Sequence, residues 1–472
     1  MINYKEFISN EKSMLIAPAG FGKTHTIVEC LKHTQTKGKQ LILTHTHAGV
    51  ASIKEKIKRE GIPSSQYFIE TISSFAQKYV LSFYIGTDIP EQEDSKNYYP
   101  FIIEKSIHLL KRKPIREIIL NTYDGLFVDE YQDCTTKQHE LILILSELLP
   151  TRILGDFLQG IFGFNGENLV NLQSNAEMGE FQKSYYELHE PQRWLNGNNT
   201  LLGEDLKKIR KSLIDKEDIN LASHSSIETH ITKNMYYDKY NFIMNLLTSS
   251  DSVLIIDPIS TNINSRIAFT QRFKNIPRLI ESIDDKTFYI LSKDADLITS
   301  DNIIKDLYSL TIKLFNKTAI EKWFTAKGIK NKTKESDNVL LIPLINKIQI
   351  LEKNISFSIV LEALILIKDL PDVKCYRKEL FHSFCSALKD AEHSNISVFQ
   401  AMTNSRNLTR RVGRKIYGKC IGTTLLTKGL EFDTVVILNA HKFDCPKHLY
   451  VALTRASKRL IILTESKILK PY

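Results

Sequence analysis

Short apolar runs alternate with helical stretches along most of this chain, and polar residues follow the apolar runs. Residues 14–17, 41–44, 125–128 and 152–155 are each predicted to be a buried strand. Apolar residues at helical spacing come after the polar residues, as at Ile27, Val28 and Leu31. Repeated strand–helix units predict the α/β class, with a parallel sheet that carries helices on both faces.

The second half of the chain repeats this pattern with a long interruption. A second strand–helix unit is predicted from residue 185, with further strands at residues 252–258 and 287–291. From about residue 300 to 405 long helical periods dominate, which predicts a helical insertion. The predicted organisation is a first lobe at 1–184 with a short accessory insertion at about 80–118, the first part of a second lobe at 185–299, a helical insertion at 300–414 and the rest of the second lobe at 415–472.

Composition narrows the class of protein. At 472 residues, with 42% hydrophobic and 25% charged residues, the chain is expected to be a soluble protein of several domains. Its formal net charge of +9 favours an anionic partner such as nucleic acid. The six cysteines form no C-x-x-C pair and the first residues are polar, so we expect a cytoplasmic protein with no membrane association, zinc site or disulfide framework.

The segment APAGFGKT, residues 17–24, joins the first predicted strand to the first long helix. A glycine-bearing loop in this position directs backbone N–H groups and a helix N-terminus at phosphate groups. Lys23 is then expected to reach the β- and γ-phosphates, and the Thr24 hydroxyl to bind Mg²⁺. The strict pattern has glycine where this chain has Ala17, and the alternative is a turn that binds no ligand.

An acidic turn, DEYQD, follows the strand at residues 125–128. Carboxylates directly after a buried strand are costly to desolvate unless they bind something. Beside a phosphate loop, Asp129 is expected to hold Mg²⁺ and Glu130 to orient and deprotonate the attacking water. The alternative is an exposed acidic turn without a ligand.

Polar and aromatic residues follow two other strands. Thr44 and His47 end the second strand, where they are expected to contact a ligand backbone; a metal site is disfavoured because no third ligand lies near. Gln159 can sense the γ-phosphate, and the rings of Phe162 and Phe164 can stack on unpaired bases. Two nearby phenylalanines are otherwise core residues, so this interpretation depends on the neighbouring motifs.

In their order, these segments resemble the motifs of superfamily 1 helicases of the UvrD and Rep type. The segments are APAGFGKT, LTHTHAGVA, ETISSF, FVDEYQD, LGDFLQGIFGF, LHEPQR, TTLLTKGLEF and YVALTRAS. The resemblance implies two RecA-like P-loop NTPase lobes, with ATP in the cleft between them and single-stranded DNA running across both. It also implies 3′ to 5′ movement.

The same resemblance implies a role for each matching residue. Catalytic roles fall to Lys23, Glu130, Gln159, Arg193 and Arg455, the two arginines acting as arginine fingers from the second lobe. Nucleotide contacts fall to Ala17, Ala19, Gly20, Gly22, Lys23, Thr24, Gly429 and Glu431, and Mg²⁺ contacts to Thr24 and Asp129. DNA contacts fall to Thr44, His47, Thr71, Phe162, Phe164 and Thr424.

Departures from the family pattern leave a second function open. No glutamine precedes Lys23, and Gln192 stands where the family has an adenine-stacking tyrosine, so nucleotide choice is expected to be loose. The compact chain also resembles helicase-like subunits of bacterial antiphage systems such as Gabija, which implies a nuclease partner and sensing of DNA ends. An ATP-binding scaffold without turnover is disfavoured because Glu130, Arg193 and Arg455 are all present.

Overall fold

The computed structural model describes residues 2–34, 38–92, 94–161, 163, 168–249, 251–258, 263–281, 286–412 and 416–472. These residues form two compact units. Unit 1 comprises Met1–Asn262 together with Arg411–Tyr472, and unit 2 comprises Ile263–Arg410. No helix in the described part of the chain is long and apolar enough to cross a bilayer.

Strands and helices alternate through most of the described chain. The strands are β1 (Lys12–Ile16), β2 (Lys39–Thr44), β3 (Tyr67–Thr71), β4 (Tyr123–Val128), β5 (Thr151–Gly155), β6 (Tyr185–Glu187), β7 (Ile219–Asn220), β8 (Ile227–Ile231), β9 (Val253–Ile256), β10 (Arg278–Leu279), β11 (Phe324–Thr325), β12 (Gly328–Ile329), β13 (Lys419–Gly422), β14 (Phe432–Ile437), β15 (Ala456–Thr464) and β16 (Ile468–Leu469). The helices are α1 (Tyr4–Ser9), α2 (Lys23–His33), α3 (His47–Arg59), α4 (Ile72–Phe83), α5 (Ser95–Leu110), α6 (Lys113–Thr122), α7 (Thr136–Ser146), α8 (Asn175–Met178), α9 (Gln192–Asn196), α10 (Thr200–Ile214), α11 (Met235–Asp238), α12 (Tyr240–Thr248), α13 (Ile263–Arg272), α14 (Lys286–Asp296), α15 (Ile303–Leu314), α16 (Lys317–Trp323), α17 (Glu335–Leu351), α18 (Phe357–Lys368), α19 (Lys378–Ser394), α20 (Val398–Val412), α21 (Thr424–Thr427) and α22 (Pro446–Leu453).

The first sheet of unit 1 is parallel and has the strand order β3-β2-β4-β5-β1-β6. Its central strands are buried on both faces, as expected for a parallel sheet covered by helices. The strand at Tyr185–Glu187 was expected to open the second lobe, and that expectation is wrong. It pairs in parallel with β1, and the Tyr186 ring packs edge-on against Phe7 at 5.2 Å.

The second sheet of unit 1 is also parallel, and within this unit its strands have the order β13-β9-β14-β15-β8. Strand β9 pairs with β13 in register, so that Leu254 lies beside Cys420 although unit 2 separates them in sequence. Unit 2 is therefore inserted between two neighbouring strands. Two parallel α/β sheets with a mainly helical insertion in the second confirm the predicted fold class.

Unit 2 consists mainly of helices around its own apolar core, which includes Leu307, Leu364 and Phe384. The strand predicted at residues 287–291 is wrong, because this segment lies in helix α14. The reason is visible in its spacing. Phe288, Leu291 and Ala295 are buried at helical intervals, and a short apolar run alone does not distinguish a strand from a helix.

Helices α5 and α6 occupy the short accessory insertion predicted at about 80–118. Ile102 and Ile107 of α5 are buried in the same apolar core as Leu41 and Leu126 of the first sheet. This segment therefore packs as part of unit 1. The predicted boundaries at 300 and 414 stay predictions, while the compact unit itself spans Ile263–Arg410.

Candidate nucleotide-binding cleft

The loop between β1 and α2 brings a helix N-terminus to the carboxyl edge of the first sheet. Gly20 and Gly22 adopt φ values of +77° and +104°, which disfavour residues with a side chain. Ala17 N–H donates to Gly155 O at 3.0 Å, and Thr26 N–H donates to Gly22 O at 2.8 Å, which begins the helix. Lys23 is therefore the first residue of α2, in the position of a phosphate-binding loop.

Trp194 supports this loop, although no signal in the sequence beyond its place after Arg193 pointed to such a role. A Cβ atom added to Gly20 would lie 2.8 Å from Trp194 Cζ3, so only glycine fits there. Arg193 N–H donates to Gly20 O at 2.8 Å. The Trp194 indole N–H in turn donates to Ala456 O at 2.9 Å, which joins the loop to strand β15 of the second sheet.

Lys23 and the acidic turn after β4 form the charged centre of the cleft. The Lys23 ammonium lies 3.1 Å from Glu130 Oε1, and Lys23 is 8% exposed. Burial acts to lower the pKa of Lys23, but the carboxylates of Glu130 and Asp129 outweigh it and raise the pKa. A buried ammonium with three N–H donors beside one carboxylate has donors left for phosphate oxygens, so this residue fits a bound nucleotide.

The acidic turn itself is held in an unusual backbone conformation. Asp129 N–H donates to Leu43 O at 2.8 Å, and Glu130 adopts a left-handed φ of +57°. Burial and then the Glu130 charge raise the pKa of Asp129. Burial acts to raise the pKa of Glu130 as well, but Lys23 and Lys428 outweigh it, so its pKa is lowered. Glu130 is therefore ionised at neutral pH.

Gln132 fixes the orientation of Glu130, a role that sequence reasoning missed. Its side-chain nitrogen donates to Glu130 Oε2, and its oxygen accepts from Asp156 N–H at 2.8 Å. The amide thus bridges the ends of the adjacent strands β4 and β5. The only sequence signal was its place within the DEYQD turn.

Gln159 lies in the turn that follows β5, where its side chain is engaged. Its amide nitrogen donates to Asp156 Oδ2 at 3.0 Å. Asp156 Oδ1 accepts from Leu158 N–H at 3.3 Å and from Arg210 Nη2 at 3.0 Å. Gln159 is therefore oriented by Asp156, whose side chain is fully buried.

Lys428 connects the two sheets of unit 1 across the cleft. Its ammonium donates to Asp133 Oδ2 and to Gln159 O, and it lies 3.9 Å from Glu130 Oε2. Burial raises the pKa of Asp133 to about 6, against the opposing effect of Lys428. Both Lys428 and Asp133 are buried. Lys428 was recognised only as part of its motif, because nothing local in the sequence pairs it with Asp133.

Arg193 and Glu431 contact each other in this structure. Arg193 Nε lies 2.9 Å from Glu431 Oε2, and Arg193 Nη1 donates to Thr454 O. Gly429 adopts a φ of +81°, and an added Cβ would meet no atom within 4 Å. The predicted arginine finger and the predicted sugar contact are therefore neighbours at one side of the cleft.

Arg455 is buried and held by oxygen atoms of its own lobe. Its Nε donates to Val451 O at 2.9 Å, Nη1 to Leu430 O at 3.2 Å and Nη2 to Thr454 Oγ1 at 3.2 Å. Burial and then the Arg193 charge lower the pKa of Arg455 to about 10, so it remains protonated at neutral pH. Its three guanidinium nitrogens thus donate to neutral oxygen atoms, while the charges of Glu130 and Glu431 act to raise its pKa.

Four of the predicted DNA-contacting residues lie at the end of a strand or at the first residue of a helix. Thr44 and Thr71 are register partners on β2 and β3, and His47 is the first residue of α3. Thr71 Oγ1 caps α4 by accepting Ser74 N–H at 3.0 Å. Thr424 Oγ1 lies 2.6 Å from His448 Nδ1. The remaining two predictions, Phe162 and Phe164, lie outside the described residues.

Two family models match separate parts of the chain. One, described as an AAA domain, matches residues 3–165 and so contains the phosphate loop, the acidic turn and Gln159. The other, described as a viral superfamily 1 RNA helicase core domain, matches residues 361–464 and so contains Lys428, Glu431 and Arg455.

Curated relatives are similar to this chain over very different lengths. The Gabija protein GajB of Bacillus cereus (strain VD045) is 22% identical, over 97% of this chain and 94% of that protein. The exonuclease/helicase subunit RexA of Lactococcus lactis subsp. cremoris (strain MG1363) is 32% identical over 20% of this chain and 8% of its own length. The ATP-dependent DNA helicase PcrA of Staphylococcus aureus (strain Mu50 / ATCC 700699) is 28% identical over 29% of this chain and 21% of its own length.

The chain thus spans almost the whole of GajB but less than a quarter of the other two relatives. The matches fall on the segments that carry the candidate site, in the order that the sequence motifs predict. The predicted resemblance to superfamily 1 helicases of the UvrD type and to a Gabija helicase-like protein is therefore confirmed.

Proposed function

We propose that this protein is a DNA-dependent ATPase that moves along single-stranded DNA, with 3′ to 5′ polarity, by hydrolysing ATP between its two RecA-like lobes. The observation that carries the proposal is the composition of the cleft. Lys23 and Glu130 form a buried pair at the edge of the first sheet, and Arg193, from α9, contacts the phosphate loop at Gly20. Arg455, after α22, adds a second buried cation to the same cleft.

In this proposal the first lobe binds the phosphates and activates water. Lys23 exchanges its contact with Glu130 for the β- and γ-phosphates, supported by the loop at Ala17, Ala19, Gly20 and Gly22. Thr24 and Asp129 would hold Mg²⁺, which would neutralise negative charge on the phosphates when bound. Glu130, once free of Lys23, accepts the proton of the attacking water. Gln159 senses the γ-phosphate.

The second lobe completes the site with positive charge. The nucleotide sugar contacts Gly429 and Glu431, and its arrival frees Arg193 from the Glu431 carboxylate. Arg193 and Arg455 then stabilise the charge that develops on the transferred phosphoryl group, an effect worth roughly 10³ to 10⁵ in rate for an arginine finger. Because both arginines belong to the second lobe, hydrolysis is tied to closure of the cleft.

The DNA strand is proposed to cross the edges of both sheets. Thr44, His47 and Thr71 contact it from the first lobe, Thr424 contacts it from the second, and Phe162 and Phe164 stack on its bases. Closing and reopening the cleft moves one set of contacts relative to the other, which converts hydrolysis into stepping.

A second candidate function is a regulatory ATPase within a nuclease-containing antiphage complex that responds to DNA ends. The observation that favours it is the similarity to GajB along almost the full length of both chains. This function predicts low turnover by the isolated protein and little strand displacement, with activation by a nuclease partner in the cytoplasm.

The experiment that separates the two is steady-state ATP turnover without nucleic acid, with single-stranded DNA and with blunt duplex. Strong stimulation by single strands, abolished in Glu130→Gln, supports the autonomous motor. Low turnover in all three conditions, with a rise only on addition of a co-purifying nuclease, supports the regulatory role. Glu140→Gln is the matched control, since Glu140 lies on the surface of α7 in a salt bridge with Lys111.

A further inference from the structure

Four side chains with little or no exposure, those of Asp156, Gln159, Arg210 and Tyr450, form a junction in unit 1, and two of them, Arg210 and Tyr450, have no role in the proposed chemistry. Asp156, the first residue after β5, is fully buried and lies at the centre. Arg210 of α10 reaches it from the second lobe, with Nη2 3.0 Å from Asp156 Oδ1. The Arg210 guanidinium also lies 4.8 Å from the centre of the Phe157 ring.

Asp156 links this arginine to Gln159. One carboxylate oxygen accepts Arg210, and the other accepts the Gln159 amide at 3.0 Å. Gln159 O in turn accepts from Lys428. Without Arg210, Asp156 would remain as an uncompensated charge in a buried position, which is strongly unfavourable. The orientation of Gln159 therefore depends on an arginine that touches neither the phosphate loop nor Glu130.

Tyr450 joins the same junction to the phosphate loop. The Arg210 charge and the Ala19 backbone N–H both act to lower the pKa of its hydroxyl, so both lie near it. The ring is almost completely buried in α22, the helix that leads to Arg455. Burial and the Asp156 charge raise the pKa of Tyr450, so it remains a neutral phenol that can both donate and accept.

We propose that Arg210 and Tyr450 are positioning residues, which set the orientation of Gln159 through Asp156 and support the phosphate loop at Ala19. The expected effect of these residues on ATP turnover rests on the proposed ATPase function. Their expected effect on the structure of the loop and the turn does not. The junction joins the phosphate loop, the turn at Gln159 and helix α22. A movement of one of these segments is therefore transmitted to the other two, because a buried hydrogen-bonded ion pair has few alternative arrangements.

Turnover provides the first test. Arg210→Gln is expected to lower kcat at least about tenfold while KM for ATP stays within about threefold, because no phosphate-binding side chain is itself replaced. Arg210→Lys, which keeps the charge but loses the planar fork, should recover part of the loss. Tyr450→Phe should lower kcat by about three- to tenfold.

Arg152→Gln is the matched control. Arg152 is a buried arginine on β5, the strand that precedes Asp156, and its guanidinium donates to the carbonyls of Pro150, Ile8 and Asn10. The Arg152→Gln variant should have a lower thermal midpoint of unfolding and an unchanged kcat per folded molecule. A kcat for Arg210→Gln within about twofold of wild type, or a loss that Arg152→Gln reproduces, would overturn the proposal.

Hydrogen exchange tests the same inference without turnover. Arg210→Gln and Tyr450→Phe should accelerate amide exchange in residues 156–161 and 18–22, and Arg152→Gln should not. If the wild-type protein hydrolyses no ATP under any condition, the proposed function fails, but faster exchange in these two segments still supports the junction. Unchanged exchange in both segments refutes it.

Discussion

Replacement of Lys428 by methionine should measure how strongly the cleft depends on one buried ion pair. Lys428 is 2% exposed and its partner Asp133 is fully buried. Removing one partner of such a pair leaves the other as an unpaired buried charge, a cost of about 3–5 kcal/mol in the free energy of unfolding. We expect a loss in this range at pH 8.

The free energy of unfolding that Lys428→Met loses should be smaller at low pH, because Asp133 takes up a proton there. Its pKa in the folded protein is about 6, against about 3.9 for an unfolded aspartate, so the folded state binds the proton more tightly. Stability is therefore lost as pH rises from about 4 to 6. Lys428 opposes this rise in pKa, whereas Glu130 adds to it. Without Lys428 the Asp133 pKa should rise further, so Lys428→Met should cost less at pH 5, where Asp133 is protonated, than at pH 8.

The assay is urea unfolding at pH 5, 6, 7 and 8, followed by Trp194 fluorescence in a Trp323→Phe background. Trp194 lies in unit 1 and Trp323 in unit 2, so the signal then reports unit 1 alone. The double variant Lys428→Met/Asp133→Asn should recover most of the stability.

Lys458→Met is the matched control, because Lys458 is 58% exposed in its 2.8 Å pair with Asp433 and its loss should change the free energy of unfolding little. A cost for Lys428→Met no larger than that of Lys458→Met would refute the reasoning. So would a cost that does not change between pH 5 and pH 8.

Four other substitutions test the cleft. Lys23→Ala should abolish ATP turnover in a steady-state assay; unchanged turnover would remove the assignment of the phosphate loop. Glu130→Gln should bind ATP in a filter assay yet hydrolyse it roughly 10² to 10⁴ times more slowly, and retained hydrolysis would assign the base elsewhere. Arg455→Ala should lower kcat by roughly 10³ or more with a modest loss of ATP binding, whereas a wild-type rate would mean that the second lobe does not complete the site. Gly20→Ala should cost about 1–3 kcal/mol in urea unfolding because its Cβ would lie 2.8 Å from Trp194, and an unchanged midpoint would show that the loop adapts.

The sequence predicted those parts of the cleft whose signals are local. Residues 17–24 and the DEYQD turn lie directly after buried strands, and the carboxyl ends of parallel strands meet at one edge of a sheet. Their place in the fold followed from the alternation of strands and helices. Specific residues such as Arg455 came from resemblance to known motifs and not from periodicity.

The sequence did not predict contacts between residues far apart in the chain. Lys428 and Asp133, or Arg210 and Asp156, are separated by long intervals and have no shared pattern. The strand at Tyr185–Glu187 was assigned to the wrong sheet because nothing in its three residues indicates that it pairs with β1. Residues 287–291 were assigned to a strand because a run of four apolar or aromatic residues, 288–291, can fit either element.

The pairing of β9 with β13 has a consequence for the order in which the chain folds during synthesis. About 160 residues separate the two strands, so at 5–20 residues per second β9 leaves the ribosome roughly 8 to 30 seconds before its neighbour. During that interval the apolar residues of β9, Val253–Ile256, lack this partner, while the helices of unit 2, which form mostly local contacts, can fold first. The sheet of the second lobe can therefore be completed only after β13, β14 and β15 have been synthesised.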